Sequence, residues 1–366
     1  MPTSAAGDNR AVLSIDLTAL QRNWLKLRDR VVPAECSAVV KADAYGIGIT
    51  HAVPALADAG CRTFFVANLA EAVAVRAALP APAQAARVFV LNGLGGMAPS
   101  PEYAAHRLIP VLGSVDDMAS WSRFAGRGSA ALHFNTGMNR LGFADFRQAL
   151  EGPRLRLELV MSHFVAAEEP ENPLNPAQIA AFDAMAAHFP QIPKSLANSS
   201  GIFLPQRPFH DLVRPGYALY GGNPVPGQPN SMEAVVRLEA PVLQVHTVEA
   251  GASAGYNGTW TAQRRSCVAT LGVGYADGFP FHAGHASGQT GKAQALVQGI
   301  ACPIVGRVSM DLIVVDVTEA GPLAPGGMAQ LIGPAIPLDD LARRAGTIGY
   351  TVLTALGKRY RRDYAG

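Results

Sequence analysis

Short apolar, β-branched segments recur along the first two-thirds of the chain, and their spacing constrains the fold more than any other feature. The ends of neighbouring segments lie about 16 to 36 residues apart, which leaves room for a crossover helix between most pairs. The eight segments are Ala38–Val40, Phe64–Ala67, Val88–Leu91, Leu108–Leu112, Ala130–Phe134, Leu157–Met161, Ser195–Ala197 and Leu212–Val213. Strands that are apolar throughout and alternate with helices indicate a parallel sheet covered on both faces. We therefore predict an α/β fold in which residues 11–231 form a (β/α)8 barrel, with an open doubly wound sheet as the alternative.

The sequence changes in character after residue 231. Apolar β-rich segments are now separated by glycine and proline turns, with little helical periodicity before Leu338. These segments are Val235–Leu243, Cys267–Val273, Ala295–Gln298 and Leu312–Val317. This pattern predicts that a mainly β C-terminal domain over residues 232–366 follows the barrel. Residues 11–16 alternate like a strand and are a candidate member of the same domain.

Composition excludes several classes of protein. The 30 basic and 28 acidic side chains leave a net charge of +2, so the chain lacks the basic surface of a nucleic-acid-binding protein. No uncharged apolar run reaches the ~18 residues that a membrane-spanning helix needs, and residues 1–10 lack the apolar stretch of a secretory leader. The four cysteines are widely separated and form no C-x-x-C pair, which indicates neither a zinc site nor a disulfide framework. We expect a cytoplasmic protein that binds neither nucleic acid, membrane nor metal.

One glycine-rich segment imitates a dinucleotide-binding motif. Gly93-Leu-Gly-Gly-Met-Ala98 follows an apolar strand and matches G-x-G-x-x-A. That motif requires a helix to begin at the loop, so that its N-terminus meets the pyrophosphate. Pro99 and Pro101 follow immediately and make such a helix unfavourable. We interpret the segment as a surface loop.

Polar side chains follow the predicted strands, where the active site of a barrel lies. These residues are Lys41, Asn68, Asn92, Asn135, His163, Asn198 and Arg214. A lysine at the mouth of an apolar barrel can have a lowered pKa and form a Schiff base. From position alone, a surface lysine at a strand end is the favoured interpretation of Lys41.

Seven motifs, in order along the chain, resemble those of the alanine racemases. They are Lys41-Ala-Asp-Ala-Tyr-Gly46, Thr136-Gly-Met-Asn-Arg-Leu-Gly142, Met161-Ser-His-Phe164, Leu196-Ala-Asn-Ser199, Val213-Arg-Pro-Gly-Tyr-Ala-Leu-Tyr-Gly221, Gly272-Val-Gly-Tyr-Ala-Asp-Gly278 and Ile304-Val-Gly-Arg-Val-Ser-Met-Asp311. The resemblance implies a barrel that carries pyridoxal 5'-phosphate, followed by a β domain. It also implies interconversion of L-alanine and D-alanine, which supplies D-alanine for peptidoglycan or serves alanine catabolism.

The resemblance assigns two catalytic bases. Lys41 would hold the cofactor as an aldimine and then act as one base at Cα. Racemisation needs a second base on the opposite face, and Tyr256 stands where the family places it. In the family a partner subunit supplies this tyrosine, so the resemblance implies a homodimer whose active sites are completed across subunits.

The remaining site residues are likewise implied by the resemblance. Arg214 would donate a hydrogen bond to the pyridine nitrogen, with His163 beside it, and Asn198 would be a further cofactor-binding residue. The phosphate would be held by Tyr45, Ser199, the backbone of Gly216 and Tyr217, and Tyr350. Arg140 and the backbone N–H of Met310 would meet the substrate carboxylate, while Tyr275 and Tyr350 would narrow the entrance to the site.

Several residues depart from the family pattern. His133 stands where many members have a carbamylated lysine, so Arg140 would need another anion, either chloride or a carboxylate. Asn135, Ile47 and Phe281 also differ from the residues usual at their positions. Three alternatives stay open: a racemase of broad specificity that includes serine, a pyridoxal-phosphate amino-acid decarboxylase, and a non-catalytic protein that binds the same cofactor. Tyr256 argues against the last two, since neither needs a base on the opposite face.

Overall fold

A computed structural model describes residues 8–124, 126–285 and 293–366. Residues 1–7, which belong to the segment considered above for a leader, lie outside the described residues, as do residues 286–292 of the predicted β domain. The chain forms two compact units. One is Thr18–Glu233, and the other combines the chain up to Leu17 with Ala234–Gly366.

The first unit contains the parallel strands predicted from the apolar segments. The first barrel strand has two parts, Glu35–Cys36 and Ala38–Val39, and the second to eighth strands are Thr63–Val66, Arg87–Val90, Leu108–Leu112, Ala130–His133, Leu157–Met161, Lys194–Ser195 and Leu212–Val213. From Ala38–Val39 to Lys194–Ser195 each strand pairs in parallel with the next. Their side chains are mostly buried, as expected of strands covered on both faces.

Backbone hydrogen bonds of Leu212–Val213 close this sheet into a barrel. The strand pairs in parallel with Glu35–Cys36. On its other side, Asp211 N–H donates to the Lys194 carbonyl at 3.1 Å and Arg214 N–H donates to the Ala197 carbonyl at 2.8 Å. Because the last strand meets both the first and the seventh, the (β/α)8 barrel is confirmed and the open sheet is excluded.

Helices connect the strands and bury one face against them. They are Leu17–Val31, Lys41–Tyr45, Ile49–Asp58, Leu69–Ala78, Glu102–Ala105, Val115–Arg123, Phe146–Glu151 and Leu174–Ala186. In Leu17–Val31 the buried residues Leu20, Trp24, Leu27 and Val31 recur every three or four positions, which is the period of one helical face. Residues 93–98 form turns rather than a helix, as the prolines predicted. None of the described helices combines the length and apolar character needed to cross a bilayer.

The second unit is mainly antiparallel sheet. Its strands are Val12–Asp16, Val236–Val248, Ser253–Ala254, Trp260–Thr261, Ser266–Leu271, Gln294–Val297, Ile300–Val305, Ile313–Asp316, Met328–Ile332 and Arg361–Ala365, and its helices are Leu338–Arg344 and Gly349–Thr354. The 13-residue strand Val236–Val248 pairs with Met328–Ile332 and also with Ser266–Leu271, so six strands close into a ring. Register shifts at Leu238/Glu239 and Val242/Gln244 accompany this change of partner. Val12–Asp16 pairs with the same long strand.

Candidate active site

Lys41 lies at the carboxyl end of the first barrel strand and begins an unusual turn. Ala42, Asp43, Ala44 and Tyr45 all have φ near +53°, and Gly46 follows at +85°. A left-handed conformation costs roughly 1–2 kcal/mol for each non-glycine residue, so neighbouring contacts must stabilise this turn. Burial lowers the pKa of Lys41, the charges of Arg140 and Arg214 lower it further, and Glu71 opposes them. The lysine is thus placed to exist as a neutral amine more readily than a surface lysine does.

Arg214 is buried directly after the eighth strand. One Nη donates to Ser195 Oγ, and the other donates to the Ser162 carbonyl and lies 3.5 Å from His163 Nδ1. Nε donates to no group in the described part of the chain. Burial lowers the pKa of Arg214 to about 9, so the guanidinium remains a cation at neutral pH. Nε is thus a buried charged donor that meets no acceptor among the described residues.

Backbone amides and hydroxyls gather at the loop after the eighth strand. Ser199 Oγ accepts from the N–H of Gly216 at 3.0 Å and from the N–H of Ala218 at 3.1 Å. A Cβ on Gly216 would lie 2.3 Å from Tyr45 Oη, so only glycine fits there. Tyr217 and Tyr45 are buried, and the Tyr45 ring stacks on Tyr220 at 4.5 Å. Asn198 Oδ1 accepts the N–H of Gly201 at 2.8 Å and thereby shapes the neighbouring loop, which follows Lys194–Ser195 and carries Ser199.

Arg140 and two histidines also lie at this barrel end, and only Arg140 carries a charge at neutral pH. Burial, together with Arg214 and Arg140, lowers the pKa of His133 to about 4. The same causes hold the pKa of His163 well below its usual value. Both histidines are therefore neutral at pH 7. Arg140 is exposed and makes no hydrogen bond or ion pair with any residue that the structure describes, which suits a residue that awaits an anion.

Tyr256 and Met310 belong to the other unit, where they share a cleft. This cleft has a volume of about 460 Å³ and is lined by Gly255, Tyr256, Ser309, Met310, Asp311 and Leu312. Tyr256 lies in a short 3-10 turn, 65% exposed, and Met310 is 53% exposed. Both functional candidates are thus presented at one surface of this unit.

Backbone contacts fix the segment that carries Met310. The N–H of Tyr275 donates to the Ser309 carbonyl and the N–H of Ala276 donates to the Met310 carbonyl, both at 3.0 Å. Arg359 joins the two segments, with Asp277 at 3.1 Å and Asp311 at 2.8 Å. The Tyr275 ring meets Phe281 edge to face at 5.7 Å. Tyr350 lies in the helix Gly349–Thr354 of the same unit.

The structure divides the predicted site residues into two groups. Those in the barrel unit are Lys41, Tyr45, Arg140, His163, Asn198, Ser199, Arg214, Gly216 and Tyr217, and those in the β unit are Tyr256, Tyr275, Met310 and Tyr350. Sequence analysis overlooked Glu71, whose carboxylate accepts the N–H of Ala42 next to Lys41. The pattern Asn68-x-x-Glu71, typical of a helix N-terminus, was the available signal.

The chain is similar to known proteins along nearly its whole length. The family model "Alanine racemase, N-terminal domain" matches residues 15–224, and "Alanine racemase, C-terminal domain" matches residues 235–364. The chain is 50% identical to a protein of Methylobacterium sp. strain 4-46 named alanine racemase, over 99% of each chain. It is 43% identical to an Agrobacterium fabrum protein named catabolic alanine racemase, over 98% of this chain and 93% of that protein.

A solved structure shows the same fold. The crystal structure of alanine racemase from Bartonella henselae, with covalently bound pyridoxal phosphate, superposes with a TM-score of 0.89 at 37% sequence identity. The match covers 98% of this chain and 100% of that one. The chain therefore belongs to the alanine racemase family.

Proposed function

We propose that this chain is an alanine racemase that interconverts L-alanine and D-alanine with pyridoxal 5'-phosphate as its cofactor. The observation that carries the proposal is the barrel end itself. There, Lys41 with a lowered pKa lies among Arg140, Arg214 and two neutral histidines. The family to which the chain belongs supplies the reaction.

The residues of the barrel end fit pyridoxal phosphate. Arg214 Nε lacks a protein acceptor among the described residues, and the pyridine nitrogen is an acceptor. Ser199 Oγ already accepts two N–H groups, which leaves its hydroxyl proton to donate to a phosphate oxygen. We therefore propose that Lys41 holds the cofactor covalently, with Arg214 and His163 at the ring and with Tyr45, Asn198, Ser199, Gly216, Tyr217 and Tyr350 around the phosphate. When bound, the cofactor supplies the electron sink that stabilises negative charge at the substrate Cα.

Lys41 and Tyr256 move the proton. We propose that they act at Cα from opposite faces, so that a proton removed on one face is replaced on the other. The lowered pKa of Lys41 favours the neutral amine that a base must be. Arg140 and the Met310 N–H would hold the substrate carboxylate and fix which face each base meets. Arg214, a cation at pH 7, would hold the pyridine nitrogen by donating a hydrogen bond to it without giving up its proton.

We further propose that the enzyme is a homodimer. Three exposed apolar side chains, those of Tyr256, Met310 and Leu312, line one cleft. Apolar side chains grouped at one surface are a common mark of an interface. A second copy of this chain would cover them, and its Lys41 would meet this Tyr256. Sedimentation equilibrium should give a mass of twice 38.3 kDa.

We propose a cytoplasmic location, because Cys36, Cys61, Cys267 and Cys302 are all free thiols.

The proposal is tested by incubating the purified, cofactor-loaded protein with L-alanine and separating the enantiomers by chiral chromatography. D-alanine should form until the two enantiomers are equal, and borohydride should fix the cofactor to Lys41 and abolish activity. L-serine, run in parallel, tests broad specificity, and release of carbon dioxide would indicate a decarboxylase. Absence of D-alanine from a protein that retains its cofactor would refute the proposal.

A further inference from the structure

The four-residue left-handed turn after Lys41 is the most strained segment near the barrel end. Its residues are alanine, aspartate, alanine and tyrosine, none of which gains the freedom that glycine has at positive φ. Internal bonds stabilise part of it: the N–H of Gly46 donates to the Ala42 carbonyl, and the N–H of Ile49 donates to Asp43 Oδ1. The N–H of Ala42, the first residue of the turn, has no backbone acceptor in the described chain.

Glu71 provides that acceptor. Its Oε1 accepts the N–H of Ala42 at 2.9 Å, and its Oε2 accepts the N–H of Ala67 at 2.8 Å. The same residue is fixed from behind, because its own N–H donates to Asn68 Oδ1 at 3.0 Å. One half-buried carboxylate thus joins the ends of two adjacent barrel strands, through hydrogen bonds that its charge strengthens.

We propose that Glu71 is a positioning residue for Lys41. By accepting the N–H of Ala42, it holds the left-handed turn that directly follows the lysine and so fixes the position of the lysine side chain. The inference rests on the proposed function only in that Lys41 carries the cofactor. The negative charge of Glu71 also raises the pKa of Lys41, whereas the charges of Arg140 and Arg214 lower it. Glu71 thus acts on Lys41 in two ways, through a backbone hydrogen bond and through its charge. A chain lacking this carboxylate keeps its barrel but loses the fixed geometry that efficient proton transfer requires.

The test compares Glu71→Gln with the wild-type holoenzyme by two readouts. The first is kcat and KM for alanine: we expect kcat to fall by about 10- to 100-fold while KM changes by less than about threefold. The second needs no turnover and measures how fast hydroxylamine strips the cofactor from Lys41. A less rigid turn should accelerate that step several-fold. Glu71→Asp keeps the charge on a side chain too short to span both amides, and should shift both readouts in the same direction by less.

Glu35→Gln is the matched control. Glu35 also accepts two hydrogen bonds within the barrel, from Thr63 Oγ1 and Arg87, but at the amino end of its strand. Glu35→Gln should lower the melting temperature of the protein without changing the rate at which hydroxylamine strips the cofactor. Ala42→Gly supplies the rescue, because glycine adopts positive φ without the steric cost that alanine meets. In the Ala42→Gly background, Glu71→Gln should lower kcat by a distinctly smaller factor than it does alone.

The outcomes separate this inference from the proposed function. A wild-type protein that does not racemise alanine refutes the function, while the hydroxylamine rates still decide the role of Glu71. Glu71→Gln with wild-type kcat and stripping rate would overturn the inference. So would equal acceleration of stripping in Glu35→Gln, because the effect would then be general loosening of the barrel.

Discussion

Gly216 is the residue whose identity the proposed cofactor site constrains most tightly. A Cβ at this position would lie 2.3 Å from Tyr45 Oη and 3.4 Å from Val39 Cβ. Tyr45 cannot withdraw easily, because its buried ring stacks on Tyr220. A methyl group would therefore displace the loop whose N–H groups donate to Ser199 Oγ.

We expect Gly216→Ala to weaken cofactor binding at least tenfold, equivalent to about 1.4 kcal/mol of binding free energy, and so to lower cofactor occupancy after dialysis. Occupancy is measured from the visible absorbance of bound cofactor per polypeptide. Gly128→Ala is the control, because a Cβ there meets nothing within 4 Å. Equal occupancy in both variants would contradict the steric argument.

His133 links the barrel end to pH. Its folded-state pKa is about 4 because of burial, Arg214 and Arg140, whereas a histidine in an unfolded chain titrates near 6.5. Below about pH 6.5, His133 therefore binds a proton in the unfolded chain but not in the folded chain. Stability from the neutral histidine is fully present above that pH and is lost as the pH falls toward 4. His163 acts in the same direction.

We expect the free energy of unfolding, measured by urea titration, to fall between pH 6.5 and 4.5. His133→Gln should reduce that slope by up to about 1.4 kcal/mol per pH unit, which is the contribution of one proton. His51→Gln, at an exposed position, is the control and should leave the slope unchanged. If the free energy of unfolding of His133→Gln depended on pH as steeply as that of the wild type, His133 would not be the group that stays unprotonated in the folded chain.

Among single residues, the functional candidates that stand in motifs were predicted from the sequence, whereas those that act through backbone hydrogen bonds were not. Lys41 stands in a recognisable block, but the left-handed turn after it contradicts the local preferences of its residues. Glu71 is separated from Ala42 by 29 positions, and only the folded barrel brings them together. Their interaction could not be predicted without the alignment of two adjacent strands.

At the scale of helices and strands, the predictions were correct where burial makes a segment continuously apolar. The barrel strands are continuously apolar and were found, with ends within a few residues of those observed. Strand Ile300–Val305 was not singled out, since Pro303 and half-exposed positions hide its pattern. It lies between two partner strands because six strands close into a ring, and ring closure is a property of the whole unit.

Arg76 holds together the loops on either side of the third barrel strand. It lies near the end of helix Leu69–Ala78, is 7% exposed, and donates to the carbonyls of Gln84, Ala86, His106 and Arg107. No carboxylate in the described chain pairs with it. Its role is therefore to satisfy carbonyls rather than to form an ion pair.

We expect Arg76→Met to lower the free energy of unfolding by about 2–3 kcal/mol, because buried carbonyls would lose their donor. Urea denaturation followed by circular dichroism measures the change. Arg123→Met, at the exposed end of helix Val115–Arg123, should change stability by less than about 0.5 kcal/mol. A loss no larger than this control would show that the carbonyls find other partners.

At the scale of the whole molecule, the proposed mechanism needs both units. Lys41 belongs to the barrel unit and Tyr256 to the β unit, which explains why motifs of one family span nearly the whole chain. Only 16% of the residues are charged, and the charges that matter to the proposal are few: Lys41, Arg140, Arg214 and Glu71. Sequence resemblance indicated the two bases, but how one meets the other is a question of assembly.

The most direct test of opposed bases is hydrogen exchange at the alanine Cα by the Tyr256→Phe holoenzyme in deuterium oxide. The wild type should give both enantiomers deuterated at Cα. Tyr256→Phe should slow conversion of L-alanine at least a hundredfold, while retaining its cofactor and still exchanging the Cα proton of one enantiomer through Lys41. Conversion of L-alanine at the wild-type rate by Tyr256→Phe would contradict the two-base account.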